Sequence, residues 1–482
     1  MWSVGSLTDQ GIIMIKQDFQ PAPSVKIMLN IGACLDIPTG FYVKGKHGES
    51  ILLGGLGALT GITGRGNMFK STIMHYMMLS AADRLLSTAD TSMSTYDTEI
   101  NIHEERLRSL TSQFESFKDK DIIGDGTWLI TDRTVYHGNA WYEKLKSYLK
   151  EQKKPGDKDI MYETPFLERD GKTLMRTIVP TFSEVDSFSR FETEDVARMQ
   201  DENELGDSGG NTIHMRQGLA KMRFLMEIPG LSGTHNHFLL LSAHLGQDTA
   251  IASGPYAAPP PKKLQHMKMG EKIKGVTDQF FFLTNNFWMA NGVSPMVNQG
   301  TKGPEYPKSS DNNAAGDVDL NMVSLKQLRS KSGPSGNTIE VIVSQTEGVL
   351  PGMTEFHYIK ESGRFGLNGS LQNYALDLYP DCKLSRTTVR GKLDKDAKLR
   401  RAMNITSEMC QIQEYFKAQS ELFCTPAELY KDLKELGYDW DMILSQTRGW
   451  WTLNNETHPL KFLSTMDLLR MRKGEYKPYW LK

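Results

Sequence analysis

The residues with most chemistry to offer are Gly64, Arg65, Gly66, Asn67, Met68, Phe69, Lys70 and Ser71, a glycine-containing turn ending in a lysine and a hydroxyl. Between a strand and a helix, such a turn aims successive backbone N–H groups at an anion. Lys70 would then reach the β- and γ-phosphates of a nucleoside triphosphate, and the Ser71 hydroxyl would ligate Mg²⁺. The full phosphate-loop pattern, G-x4-G-K-[ST], fails by one residue, because Phe69 stands where the second glycine belongs. The competing reading is a glycine-rich turn with a surface lysine.

Three further groups stand where strands should end. Tyr96-Asp97-Thr98-Glu99 places carboxylates at the edge of a parallel sheet where open α/β folds bind ligands. Glu99 is the candidate for orienting an attacking water, and Asp97 the candidate for merely complementing a helix dipole. Glu184-Val185-Asp186-Ser187 offers Asp186 as a carboxylate that could hold Mg²⁺ through water. His244 follows an apolar run and precedes a long polar loop, so it could sense the γ-phosphate and pull on that loop. A structural histidine is the alternative.

Stepping from these residues to their supports, the run Ser50–Ile62 reads as a buried strand entering the loop. From Ser71 onward, apolar residues recur at helical spacing through Leu86. Strand Thr91–Asp97, helix Ile102–Phe114, strand Thr127–Thr131 and helix Ala140–Glu151 continue the alternation, which predicts a parallel sheet covered on both faces. Residues 155–176 read as an inserted hairpin turning at Arg169-Asp170-Gly171-Lys172. Strand Thr177–Asp186 should then resume the core, followed by Phe238–Ala243 and Gln279–Thr284. Two polar stretches, Glu192–Asn211 and Gly246–Gly275, read as long irregular loops. Asn298–Asp317 reads as an exposed linker. Strands Val323–Arg329 and Thr338–Ser344 flank a turn at Lys331–Gly336.

The expected organisation is an N-terminal segment 1–45, an ATPase-like core 46–350 and a small, mainly helical C-terminal domain 351–482. Thr425-Pro426-Ala427-Glu428 is a helix start with a capping box, and Gly437 is the stop. Trp440, Trp450 and Trp451 are expected to fill that domain's core. Lys383–Arg401, with eight Lys or Arg against two Asp, is the most basic window.

At 482 residues, 39% hydrophobic and 24% charged, the chain is long enough for several domains and too apolar for a disordered one. With 56 Lys plus Arg against 58 Asp plus Glu, any nucleic-acid surface must be local. The four cysteines, Cys34, Cys382, Cys410 and Cys424, form no C-x-x-C pair, which argues against a zinc ribbon or disulfide framework. No run approaches the ~20 apolar residues of a membrane span, and no secretory leader pattern opens the chain. A cytoplasmic protein without a membrane partner is expected.

The order of Gly64–Ser71, Tyr96-Asp97-Thr98-Glu99, Val185-Asp186-Ser187, His244 and Arg329-Ser330-Lys331 resembles the RecA recombinase superfamily. Within it, the likeness is greatest to the UvsX recombinases of tailed phages, which also carry Phe-Lys-Ser in the phosphate loop and a histidine closing the sensor strand. The resemblance covers about residues 25–350. It implies a RecA-like α/β core with a largely parallel twisted sheet flanked by helices, binding ATP and Mg²⁺ between neighbouring subunits of a helical filament on DNA. Lys70, Ser71 and Thr72 would contact nucleotide and metal, Glu99 would activate water, Asp186 would support the metal, and His244 would link ATP to DNA. Arg329 and Lys331 would reach the γ-phosphate of an adjacent subunit.

The two polar stretches would be DNA-facing loops. The first is acidic over Glu192–Glu204; the second carries Lys262, Lys263, Lys268, Lys272 and Lys274, which can neutralise phosphates. The implied partners are single- and double-stranded DNA, further copies of the chain, and mediator and single-strand-binding proteins. The N-terminal segment would dock to a neighbour. Two rival readings share these residues: a ring-forming replicative helicase, and a phosphate-loop protein that binds DNA without hydrolysis.

Overall fold

The computed structural model describes residues 22–202, 210–247, 261–309, 316, 319–370 and 372–481. A first antiparallel hairpin, β1 (Phe41–Lys44) and β2 (Ser50–Leu53), stands apart from the central sheet, which begins with β3 (Leu59–Gly64). The run Ser50–Ile62 is therefore two strands, not one. The break falls at Gly54 and Gly55: a Cβ on Gly54 would lie 2.1 Å from the Asp36 carbonyl oxygen, and Gly55 has φ +92°.

The phosphate-loop candidate leads into α1 (Lys70–Leu86), then β4 (Met93–Asp97), α2 (Glu104–Thr111), β5 (Trp128–Asp132) and α3 (Gly138–Gln152). The inserted hairpin forms as β6 (Met161–Leu167) and β7 (Leu174–Ile178), paired antiparallel. It takes Thr177 and Ile178 from the expected core strand, so β8 spans only Thr181–Asp186. Pro180 lies between them and cannot donate to a ladder.

The first polar stretch is more regular than expected. It contains α4 (Glu194–Asp201) and the start of α5 (Gly210–His235), while 203–209 lie outside the described residues. Glu194 and Asp195 in the first turn of α4 complement its dipole, and Val196 anchors it in the core. The second stretch contributes to the sheet at both ends. Strand β9 runs from His237 to Gln247, and β10 (Glu271–Ile273) folds back on it antiparallel.

Gln279–Thr284, expected as a strand, is instead the helix α6 (Gln279–Leu283). Adjacent Phe280 and Phe281 are both buried while Phe282 is 47% exposed, which a strand's alternation cannot produce. The strand lies further on, as β11 (Asn286–Pro295), followed by β12 (Leu320–Ser330), β13 (Thr338–Ser344) and β14 (Gly348–Val349). Between β11 and β12, the expected linker is partly packed: Tyr306 is fully buried against Phe356.

The resulting fold is α/β. Its ten-stranded sheet runs β14-β13-β12-β11-β3-β9-β8-β4-β5, with β10 beside β9. The strands from β11 through β5 are parallel, and β12, β13 and β14 extend the sheet antiparallel. Parallel register brings the C-terminal ends together at one edge, with Gly64 opposite His244 and Asp97 opposite Asp186.

Beyond β14 come α7 (Pro351–Lys360), a three-stranded antiparallel sheet β15 (Leu367–Ser370), β16 (Asn373–Leu376) and β17 (Tyr379–Leu384), then α8 (Val389–Lys395) and α9 (Ala397–Tyr415). Next is α10 (Pro426–Glu435), which starts with the expected capping box and stops before Gly437 at φ +85°. This region is mainly helical, but its tryptophans divide. Trp440 lies in the local core, whereas Trp451 packs its ring 4.8 Å from Phe166 of the inserted hairpin and Trp450 lies beside Arg84 of α1. Residues Met28–Gly40 of the N-terminal segment are buried within this chain; Tyr76 donates to Ile31 O and Gln411 to Cys34 O. Residues 1–21 lie outside the described residues. Among the described residues, no helix is long and apolar enough to cross a membrane.

Candidate active site

Phe69 adopts φ +55° at the N-terminus of α1, in the left-handed region that normally favours glycine there. The backbone thus takes a glycine-like turn without the glycine, at a steric cost of roughly 1–2 kcal/mol. The preceding glycine serves packing: a Cβ on Gly64 would stand 3.3 Å from Lys70 Cδ. Lys70 is buried and its Nζ donates to Arg65 O at 2.8 Å, folding the ammonium back over the loop. Burial pushes the Lys70 pKa down, while the charges of Asp186 and Glu99 pull it up. Ser71 and Thr72 are half-buried in the first turn of α1.

Asp97 proves to be the organiser of the next loop. Its carboxylate accepts four backbone N–H bonds, from Glu99 and Ile100 on Oδ1 and from Asn101 and Ile102 on Oδ2, all within 2.9 Å. That cage fixes the turn from which Glu99 projects. Glu99 Oε1 then meets His244 Nε2 at 2.7 Å and Ser187 Oγ at 3.0 Å, with Arg190 Nε at 3.4 Å. Burial raises the Glu99 pKa, but the hydrogen bonds from His244 and Ser187 and the nearby charges outweigh it, so the carboxyl lies below its ordinary value. Such a carboxylate stays ionised at neutral pH.

Asp186 ends β8 with its side chain buried, accepting a hydrogen bond from Ser242 Oγ of β9. The hard oxygen donors here, Ser71 hydroxyl and Asp186 carboxylate, suit Mg²⁺, which takes few protein ligands and completes its shell with water and phosphate oxygens. They fit the ion. Behind them, His75 of α1 pairs with the fully buried Glu184 of β8 at 2.5 Å, and Thr95 Oγ1 donates to the same carboxylate. This buried pair ties α1 to the sheet.

Lys70, Glu99, Asp186 and His244 are thus brought to one sheet edge. Arg329 and Lys331 are not. Arg329 faces Phe287 across β11, which faces Gly61 of β3, so it lies about three residues, or roughly 10 Å, back along the strands from the loop end. Lys331 lies further back and donates from Nζ to Leu283 O. Its pKa is lowered, mainly by burial and then by Arg329.

Of the second-loop lysines, Lys262, Lys263, Lys268 and Lys274 are exposed and Lys272 is half-buried on β10; residues 248–260 lie outside the described residues. Lys263 approaches Asp278 at 3.4 Å. In the basic window Lys383–Arg401, several charges serve the fold. Arg390 is buried against Asp319 and Glu347, Arg401 donates to Leu463 O, and Lys398 pairs with Asp441 at 2.6 Å.

Sequence reasoning named Ser187 in the Asp186 motif without giving it a role and passed over Arg190 and Ser242; these three contact Glu99 or Asp186. For Ser242 a signal existed: in the strand Ser242-Ala243-His244, period-two alternation puts Ser242 on the face of His244. No protein-family model matches the chain, and no curated protein is significantly similar to it.

Proposed function

We propose that the chain is an ATP-dependent DNA recombinase of the RecA type, similar to the UvsX recombinases of tailed phages, which polymerises on single-stranded DNA and exchanges homologous strands. The observation that carries this reading is the Glu99–His244 hydrogen bond of 2.7 Å, formed beside Lys70 at the end of a parallel sheet. It joins a candidate base for water attack to the strand that runs directly into the lysine-bearing stretch Gly246–Gly275. One contact therefore spans hydrolysis and polymer binding.

In this reading, the turn Gly64–Phe69 cradles the phosphates with backbone N–H groups, and Lys70 neutralises charge developing on the transferred phosphoryl group. Magnesium, held by Ser71 with Asp186, would supply further neutralisation of the phosphate oxygens. Glu99 orients water and takes its proton. His244 registers whether Glu99 is engaged. Arg329 and Lys331 sit too far back in their own chain to join Lys70, so in this reading a second copy would supply them, at a site between subunits.

Electron microscopy with single-stranded DNA and a non-hydrolysable ATP analogue tests the assembly. Continuous helical filaments are expected, together with strand exchange between homologous but not heterologous duplexes. Closed six-membered rings would transfer the same site to a replicative helicase, and an absence of nucleotide binding would overturn both.

A further inference from the structure

Lys221 of α5 is 1% exposed, yet its ammonium makes hydrogen bonds only to main-chain carbonyls among the described residues. Nζ donates to Ser189 O at 2.8 Å and to Gly275 O at 2.7 Å, with the Phe188 ring 5.7 Å away. A buried ammonium is costly unless its donors are satisfied. Burial pushes its pKa down to about 8, against the opposing pull of Glu192.

The two carbonyls belong to segments that the site uses differently. Ser189 follows β8 and lies two residues beyond Ser187, the residue that donates to Glu99. Gly275 closes the stretch Gly246–Gly275, just after β10. The Ser189 hydroxyl ties the same parts together a second time: it accepts from His244 N at 2.9 Å and donates to Lys274 O at 2.8 Å. Lys274 N in turn donates to His244 O at 2.8 Å. Gly275 has φ +65°, and a Cβ there would lie 2.7 Å from Ser189 O and 3.5 Å from Lys221 Nζ. The junction is closed to any side chain at that position.

We propose that Lys221 is a positioning residue: it clamps Gly275, at the end of the described run that carries Lys262, Lys263, Lys268 and Lys274, to the loop behind Glu99, so that a polynucleotide bound by those lysines and the Glu99–His244 contact shift together. The inference rests on the ATPase reading above and adds how its two activities are coupled. Moving Gly275 away from Ser189 would strip an acceptor from a buried ammonium, and that penalty keeps the two segments in step. Both ends of the clamp are backbone, so a displacement passes straight to Lys274 and His244 rather than being absorbed by side-chain rotation.

The test compares wild type with Lys221→Met and Lys221→Gln. Lys221→Met is expected to bind a fluorescent ATP analogue and to hydrolyse ATP without DNA within about twofold of wild type. Its stimulation by single-stranded DNA should fall on the order of tenfold, and hydrogen exchange at the Lys274 amide should rise by about as much. Should Lys221→Met fail to fold, Lys221→Gln, whose shorter amide keeps a polar donor but cannot bridge both carbonyls, decides with the same loss of stimulation. Full DNA stimulation in either folded variant overturns the clamp. A wild type that hydrolyses no ATP would defeat the ATPase reading instead; unchanged exchange at Lys274 in Lys221→Met would then defeat the clamp separately.

Discussion

Glu99 and His244, 145 positions apart in the chain, share a hydrogen bond of 2.7 Å between Oε1 and Nε2. Strand β4 delivers the carboxylate and β9 the imidazole, and their parallel course through β8 makes the meeting a consequence of sheet register.

Replacing Glu99 with Gln keeps the shape of the contact but removes the charge and the proton acceptor. ATP hydrolysis should fall by roughly 10²–10⁴-fold, the usual contribution of a positioned base. Nucleotide affinity, measured by equilibrium titration, should stay within a few-fold of wild type. Loss of affinity equal to the loss of turnover would move Glu99 from the chemistry to the binding of ground-state nucleotide.

The separation of Arg329 from Lys70 makes a complementation experiment decisive. Lys70→Ala and Arg329→Ala proteins should each be nearly inactive alone. In an equimolar mixture, a site is intact only where an Arg329→Ala subunit supplies Lys70 and a Lys70→Ala neighbour supplies the arginine. Random head-to-tail mixing makes about one site in four intact, so about a quarter of wild-type turnover should return. Turnover that stays at the level of the separate variants would show that Arg329 does not act across a subunit boundary.

The exposed lysines make a claim about salt. Each phosphate neutralised on a single strand contributes about −0.7 to the slope of log affinity against log salt. Lys262→Ala combined with Lys268→Ala should weaken DNA binding and flatten that slope by up to about 1.4, read by fluorescence anisotropy across a salt series. A slope that does not change would leave these lysines as solvated surface.

Part of the site was legible because apolar runs stop at it: Asp186 ends β8, Glu99 lies two residues past β4, and His244 closes the apolar run of β9, although that strand continues to Gln247. Lys70 was legible from its glycine-containing turn and starts α1, and the four residues do converge. Asp97 was read as a helix-dipole complement, yet it caps four backbone N–H groups of a turn, a role that depends on chain reversal and leaves no periodic signature. The helix Gln279–Leu283 was read as a strand because aromatic residues favour strands; here burial of Phe280 and Phe281 on one side overrides propensity. The acidic stretch after Glu192 looked irregular because its helices are polar outside a few anchors such as Val196. Lys221 was invisible, since nothing local distinguishes a lysine that will be buried from one that will not.

The last prediction concerns a buried acid at the seam between α1, the N-terminal segment and the C-terminal helices. Glu355 of α7 is buried, and desolvation pushes its pKa up to about 8; the hydrogen bond from Asn404 and the charge of Arg84 lower it, while Glu408 and Asp36 raise it. Asp36, buried nearby, is pushed up to about 6 for the same leading reason. In the unfolded chain both carboxyls ionise near pH 4. From there to about pH 8, the folded state holds a proton on Glu355 that the unfolded state has released, so stability falls as pH rises through that window. Glu355→Gln removes the titration and can still accept from Asn404 through its amide oxygen. Urea unfolding should find the variant more stable than wild type by up to about 5 kcal/mol above pH 8, and by no more than about 1 kcal/mol near pH 5. A variant destabilised equally at both pH values would show that Glu355 is ionised and paired in the folded protein, contrary to its surroundings.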